Sequence, residues 1–374
     1  MRVLVAPDKF KGSLTAAEVA RWLAVGLAEV GVGSTQLPLA DGGDGSVDAA
    51  VAAGFSGRSC TVAGAVGMPS RGRIAVRGDT VVVEVANTCG LSTLSNGRKQ
   101  PLDASSLGLG QAIRQALRLS PRRVVVGLGG SASTDGGMGL LAAFGFRFLD
   151  AEGRVLPPSG RALLEIAGVD RAAAVRLPAV DLVVASDVTN PLTGVDGAAA
   201  VYGPQKGASA QEVGLLDRGL RHLVEMLSCN RFPEAGRLAA VPGAGSAGGI
   251  GFAAMLLGGR MTSGGEFFLD LLDFDRHCAE ADLVITGEGS LDAQTERGKL
   301  VAVVARRAKG IPVVAVAGRS EIPRIRWISN GFADVYALAD YTDRDTAGDP
   351  ALTADLLVRI GRRIGRSRLL QSTG

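Results

Sequence analysis

Short apolar runs rich in valine recur along the whole chain, each ended by a polar or glycine-bearing turn and most followed by apolar residues at helical spacing. The first is Val3–Ala6. After a polar loop, Val19, Trp22, Leu23, Gly26, Leu27 and Val30 mark one helical face, and Thr15 with Glu18 has the spacing of a capping box at its start. Further strands are expected at Gln36–Ala40, Val124–Val126, Asp181–Ala185, Ala281–Thr286, Pro312–Ala317 and Asp334–Leu338. Helices are expected over Leu102–Leu119, from Leu140 through Phe144, and over Ile250–Leu257, with a last one entered through Asp349 and Pro350, proline in its favoured first position. Such alternation predicts an α/β fold with a doubly wound, mostly parallel sheet of Rossmann or flavodoxin type.

Between Arg58 and Ala86 the period changes. The run RGRIAVRGDTVVVEVA reads as a hairpin turning at Gly78-Asp79, and Asn96-Gly97 marks another turn. Antiparallel strands here predict a second α/β domain, and a length of 374 residues also favours two cores over one. The expected division is a discontinuous nucleotide-type domain of residues 1–57, 97–190 and 281–374, and a second domain of residues 58–96 and 191–280.

Charge and cysteine content narrow the class. Forty basic residues against thirty-seven acidic leave +3, with no basic run interleaved with aromatics, which argues against nucleic acid as a partner. The arginines from Arg362 to Arg368 read as a solvated helix end. Cys60, Cys89, Cys229 and Cys278 have no paired spacing, and with His222 and His277 as the sole histidines a zinc site is not supported. No apolar run of membrane-spanning length escapes interruption by charge or glycine, and the amino terminus leads directly into a strand. A cytoplasmic enzyme without a membrane partner is expected, and a homodimer is compatible with the chain.

Candidate chemistry gathers at strand ends. The segment GLGGSASTDGG after Val126 carries Gly127, Gly129, Gly130, Gly136 and Gly137, whose backbone can turn tightly and aim amides at an anion near a helix start. The competing account is a tight turn with Ser133 or Thr134 as N-cap and Asp135 complementing the helix dipole. Asp8, Lys9 and Lys11 follow the first strand, and Asp41 and Asp44 follow the second. Asp187 and Asn190 follow Ala185, Lys206 lies in GPQKG, and Glu288 and Asp292 follow Thr286. Gly243–Gly248 formally matches a dinucleotide fingerprint, but Pro242 and the short apolar run before it mark a helix entry. Because ligands of open α/β sheets bind beyond the carboxyl ends of strands, these groups suggest one crevice for phosphates and a metal. Mg²⁺ needs one or two carboxylates plus phosphate oxygens, and another carboxylate could accept a hydroxyl proton.

Together APDKFKGSLTA, LADGGDGS, GLGGSASTDGG, SDVTNPLTGVDGAAAVYGPQKGA and ITGEGSLDAQTERGK, in this order, resemble the type I glycerate kinase family of bacterial glycerate 2-kinases over nearly the whole chain. The resemblance implies ATP-dependent, Mg²⁺-assisted phosphorylation of D-glycerate to 2-phosphoglycerate in a crevice between two α/β domains. Carried onto this sequence, it implies catalytic roles for Asp187, Lys9, Lys11 and Asp41. Substrate or nucleotide is then expected at Asp8, Asp44, Gly129, Gly130, Ser131, Ser133, Asp135, Asn190 and Lys206, and Mg²⁺ at Glu288 and Asp292. Lys9 and Lys11 would neutralise anions, Asp187 would be general base or metal ligand, and Asp41 and Glu288 would meet Mg²⁺ or substrate hydroxyls. Alternatives are a kinase of another small hydroxy acid and a sugar-acid-sensing regulator without turnover. A GHMP-type kinase shares the serine-glycine loop but not the Asp-rich motifs. No P-loop occurs, and a dehydrogenase would want its glycine fingerprint where PDKFKG stands.

Overall fold

The computed structural model describes residues 1–94, 97–175, 177, 179–292 and 299–372, so Asn96 of the expected Asn96-Gly97 turn lies outside the described residues. In chain order the elements begin β1 (Arg2–Val5), α1 (Ala16–Ala28), β2 (Gly33–Gln36), α2 (Ser46–Ala52), β3 (Ser56–Ala63), β4 (Pro69–Arg77) and β5 (Thr80–Glu84). Next come α3 (Ala86–Cys89), α4 (Leu107–Leu117), β6 (Arg123–Gly127), α5 (Met138–Ala143), β7 (Arg147–Leu149), β8 (Gly168–Asp170) and β9 (Asp181–Ala185). They are followed by α6 (Ala198–Tyr202), α7 (Ala210–Cys229), α8 (Ala235–Ala239), α9 (Ile250–Leu256), β10 (Arg260–Thr262) and α10 (Gly264–Leu271). The chain continues through α11 (Phe274–Ala279), β11 (Leu283–Leu291), α12 (Leu300–Arg307), β12 (Val313–Ser320), β13 (Asp334–Ala337) and α13 (Pro350–Ser372).

Two compact units divide the chain: residues 1–41, 48–54 and 265–374 form the first, and residues 42–47 and 55–264 the second. In the first unit every strand pair is parallel, in the order β13-β12-β11-β1-β2. Counted within the unit this is the flavodoxin-like order 2-1-3-4-5, whose direction reverses between β1 and β11. Val3, Leu4 and Val5 are all buried, as strands covered on both faces require. Helix α1 starts with the expected capping box: the Thr15 N–H donates to Glu18 Oε2 at 2.9 Å and the Glu18 N–H to Thr15 Oγ1 at 3.3 Å. Its Leu23 and Leu27 share a core with Leu357 and Ile360 of α13. The two helices approach closely at Gly26, where a Cβ would lie 2.1 Å from the Val358 carbonyl oxygen.

In the second unit the sheet order is β10-β9-β6-β5-β4-β3. The first four strands are parallel, whereas β4 pairs antiparallel with both β5 and β3. The expected hairpin is β4–β5, and Gly78 at its turn has φ +58°, the left-handed value that favours glycine there. Val124, Val126, Leu140, Phe144, Leu182, Val184, Leu220 and Phe252 belong to one buried core, with the small antiparallel pair β7–β8 contributing Phe148.

Three expectations need correction. Residues 97–190, assigned from the sequence to the first domain, lie in the second unit, because β6 pairs with β5 and β9 (Val82 beside Val125, Val125 beside Val183). Residues 55–57 also belong to the second unit and 265–280 to the first. Periodicity identifies a buried parallel strand but not its neighbour, and valine runs in both sheets look alike. The strand expected at Gln36–Ala40 is β2, Gly33–Gln36, a mostly polar edge strand; the apolar Leu37 and Leu39 continue beyond it, their N–H groups bonded to the Val5 and Pro7 carbonyls. The helix expected over Leu102–Leu119 begins at Leu107, because Asp135 takes the Ser106 N–H and so fixes the helix entry. Among the described residues no helix is long and apolar enough to cross a membrane.

Candidate functional site

In the second unit the glycine segment leaves β6 at Gly127 and is held by backbone on both sides. The Gly129 N–H donates to the Gly42 carbonyl at 3.2 Å, and a Cβ on Gly129 would sit 2.4 Å from Gly43 Cα. Gly42, with φ +81°, is equally confined, since its Cβ would lie 2.4 Å from the Ala185 carbonyl oxygen at the end of β9. Three strand-end turns therefore meet main chain to main chain, an approach closed to any residue with a side chain. On the other side the Gly136 N–H donates to the Gly248 carbonyl at 2.9 Å, and a Cβ on Gly249 would lie 2.5 Å from Gly136 Cα. The Gly243–Gly248 stretch is the helix entry expected ahead of α9, and it is also a wall of the loop, which the sequence did not reveal.

Exposure divides the loop. Gly130 is exposed and Gly129 half-buried, whereas Ser131 is nearly buried and Ser133, Thr134 and Asp135 are fully so. The Ser133 and Thr134 hydroxyls have no hydrogen-bond partner, so neither caps α5; the residue before that helix is Gly137, in left-handed conformation. Asp135 supplies the cap. Its Oδ2 accepts from the Ser106 N–H at 2.8 Å, the Ser106 hydroxyl at 2.7 Å and the Gly139 N–H at 3.1 Å, while Oδ1 accepts from the Gly137 N–H at 3.1 Å. One carboxylate thus satisfies the open ends of α4 and α5. The sequence offers Ser133 or Thr134 as the cap and Asp135 as a complement to the helix dipole; here the Asp135 carboxylate takes the capping place itself.

Asp187 stands just beyond β9, with Oδ1 accepting from the Ser263 hydroxyl at 2.8 Å and the Gly264 N–H at 2.9 Å. Asn190 is engaged by its own loop and by α6: its Nδ2 donates to the Asp196 carbonyl at 2.8 Å and the Tyr202 hydroxyl donates to its Oδ1 at 2.7 Å. Asp44 lies in the 42–47 segment, whose helix α2 is capped from β5, the Val47 N–H donating to Glu84 Oε2 at 2.9 Å. Glu84 is 3 % exposed and accepts from Asn87 Nδ2 at 3.0 Å. Sequence reading misses it, because an acid in a valine run reads as the solvent face of a strand. Lys206 is 2 % exposed, and its Nζ donates to the Ser133 carbonyl at 2.5 Å. Burial pushes its amine down to about 7, against the opposing pull of Asp135 and Cys89.

In the first unit the acids and amines collect where the strand order reverses. The Asp8 N–H donates to the Gly287 carbonyl at 2.8 Å, tying the end of β1 to β11. Burial pushes the Asp8 carboxyl up to about 7; Lys9 opposes the rise, and the negative charges of Asp41 and Glu288 add to it. The Lys299 ammonium lies 3.5 Å from Glu288 and 3.2 Å from Asp292. Lys11 comes close through its backbone, 3.3 Å from where a Cβ of Gly289 would stand. Asp8, Lys9, Asp41, Glu288, Asp292 and Lys299 thus form one electrostatic group. Lys299 closes the motif GEGSLDAQTERGK but carries no signal of its own in the sequence; residues 293–298 of that motif lie outside the described residues. Among the described residues no three His, Cys, Asp or Glu side chains form a closed metal cage. A cavity of about 780 Å³, lined by Phe146, Arg171, Arg231 and Phe232 among others, opens beyond the carboxyl end of α5 and includes none of these groups.

The Asp8 carboxyl carries a stability consequence. Its folded value lies above the ordinary 3.8, so between these limits the unfolded chain releases the proton first and the folded protein loses stability as pH rises to about 7. Asp8→Asn should therefore raise the melting temperature above pH 7, with the gain fading toward pH 4. Thermal unfolding of both proteins across that range checks it, and a gain independent of pH would count against a strained carboxyl.

Known proteins resemble the chain along most of its length. The family model described as "Glycerate kinase family" matches residues 3–367. The glycerate kinase of Bacillus subtilis (strain 168) is 40 % identical over 333 residues, 85 % of each chain. The glycerate 2-kinase of Escherichia coli (strain K12) is 38 % identical over 331 residues, again 85 % of each. A crystal structure named for glycerate kinase 2 of Salmonella typhimurium LT2 superposes with a TM-score of 0.83 at 33 % identity and covers both chains in full. With a match along nearly its whole length and relatives this similar, the chain belongs to the glycerate kinase family, a family of phosphotransferases.

Proposed function

We propose that the chain phosphorylates D-glycerate with ATP and releases 2-phosphoglycerate. The observation that carries this is the gathering of Asp8, Lys9, Asp41 and Glu288 at the point in the first unit where the strand order reverses, the position at which open α/β sheets bind ligands. Phosphoryl transfer asks little covalent chemistry of a protein and much charge neutralisation and positioning. Lys9 and Lys11 supply positive charge for phosphate. The Gly129–Ser131 backbone, at the accessible part of its loop, offers amides to a second anionic group. Asp187, held by Ser263 and Gly264, accepts the proton of the attacking hydroxyl.

Glu288 and Asp292, both within reach of the Lys299 ammonium, would hold Mg²⁺, an ion that commonly takes one or two carboxylates plus phosphate oxygens. Asp8 beside them is raised chiefly by burial, and the negative charges of Asp41 and Glu288 add to the rise. When bound, the ion would spread the phosphate charge. Asn190 and Asp135, engaged with protein partners, would contribute through loop shape. The E. coli relative's name supports transfer to the 2-position. The four free thiols suit a reducing cytoplasm.

The test is ADP release from the purified protein with ATP, Mg²⁺ and D-glycerate, the product then being offered to enolase with and without phosphoglycerate mutase. Direct consumption by enolase is expected. A requirement for mutase would move the phosphate to the 3-position, release of ADP with a different hydroxy acid alone would change the substrate, and glycerate binding without ADP release would favour a sensor.

A further inference from the structure

Lys206 is a buried ammonium that the chemistry above does not use. Its Nζ donates to the Ser133 carbonyl at 2.5 Å, and the side chain is 2 % exposed. The hydroxyls of Ser133 and Thr134 are buried and have no partner, so these side chains contribute no hydrogen bond to the loop. The neighbouring anchors of the loop lie outside the Ala132–Thr134 segment: a bridge from Gly90 to Ser131 on one side, and on the other the Asp135 carboxylate and the Gly136–Gly248 bond. There is also no spare room around the amine. A Cβ on Gly248 would stand 2.9 Å from Nζ and 2.1 Å from the Ser133 carbonyl oxygen.

We propose that Lys206 is a positioning residue that fixes the backbone of the Ala132–Thr134 segment through the Ser133 carbonyl, and that it does not meet a phosphate. The idea rests on the kinase reading, since it assigns the lysine's part in presenting the Gly129–Ser131 amides. The GPQKG segment suits this role because Lys206 ends a single turn of 3₁₀ helix from Pro204, and Gly207 follows with φ +94°, so the side chain leaves a rigid corner. Charge is secondary to reach here. A neutral amine still donates to a carbonyl, so the hold persists whether or not the amine, in the field of Asp135 and Cys89, carries its extra proton.

Two substitutions separate a donor from a cation. Lys206→Met removes both, and Lys206→Gln restores a neutral donor of slightly shorter reach. A displacement of the loop by an ångström can cost about 100-fold in rate, so kcat/KM should fall by about that factor in Lys206→Met, and Lys206→Gln should regain about tenfold. Amide hydrogen exchange at Ala132–Thr134, measured without any substrate, should quicken at least tenfold in Lys206→Met and less in Lys206→Gln. Because exchange needs no turnover, it still decides the role of Lys206 if D-glycerate proves not to be the substrate. Equal losses of activity in the two variants, with exchange unchanged in both, would overturn the proposal in favour of a phosphate-binding cation. Should Lys206→Met fail to fold, acetic anhydride labelling of the unaltered protein decides: Lys206 is expected to resist modification with or without ADP, and ready labelling suppressed by ADP would sink the idea.

Discussion

Asp187→Asn should lower kcat by about 10²–10⁴-fold, the range that loss of a positioned general base typically costs, with KM for D-glycerate changed only a few-fold. The substitution spares the contacts of one carboxylate oxygen. The Ser263 hydroxyl and the Gly264 N–H both donate to the same carboxylate oxygen, Oδ1. An asparagine can keep its carbonyl oxygen there, so the hold on the start of α10 survives while the negative charge disappears. Steady-state kinetics with a melting curve separates the two effects: an unaltered melting temperature with a large fall in kcat is expected. A variant turning over at near-normal rate would remove Asp187 as base. Ser263→Ala provides a graded control, since it keeps the charge and removes one of these two bonds.

The largest effect on stability should come from Asp135→Ala. Four donors lose their acceptor at once: the Ser106 N–H and hydroxyl, and the N–H groups of Gly137 and Gly139. Buried donors left unmade cost about 1–3 kcal/mol each, so a loss of about 4 kcal/mol or more is expected even with partial entry of water. For a unit of this size that corresponds to a fall of about 8–16 °C in melting temperature. Asp135→Asn should lie between, because one oxygen remains while an amide N–H₂ is turned toward donors. Scanning calorimetry measures both, and a shift below about 2 °C for the alanine variant would mean that the two helix ends find other partners.

These two aspartates show how far the sequence can be read. Both are visible as acids beside strand ends, and the fold class follows from valine runs alternating with helical spacing. What separates their roles is direction. The Asp135 side chain turns inward to two helix starts, one of them contributed by Ser106 from far along the chain, and no local pattern carries that information. Lys206 illustrates the same limit: a lysine in a glycine-bounded turn reads as a cation for phosphate, yet Ser133 and the close approach of Gly248 enclose it. Glu84 escapes notice for the opposite reason, since an acid in a valine run reads as the solvent face of its strand until Val47 is found bonded to it. The group around Asp8 is more legible because Lys9 follows the apolar β1 and Asp41 the apolar residues that continue β2, and the carboxyl ends of parallel strands share one edge. Domain membership is the least legible, being decided by which valine strand lies beside which.

The placement of β1 in its sheet has a bearing on how the protein is made. This strand lies between β2, which follows it closely, and β11, which leaves the ribosome roughly 250 residues later, about 12–50 s at ordinary rates of synthesis. Through that interval the nascent β1–β2 pair presents one unpaired flank of valine and leucine, the kind of edge that invites wrong partners. The second unit, whose sheet is complete by Thr262, has every strand it needs before the first unit does. Its early collapse would leave the opening residues waiting for their own carboxyl-terminal half, a natural point for a chaperone to hold the chain.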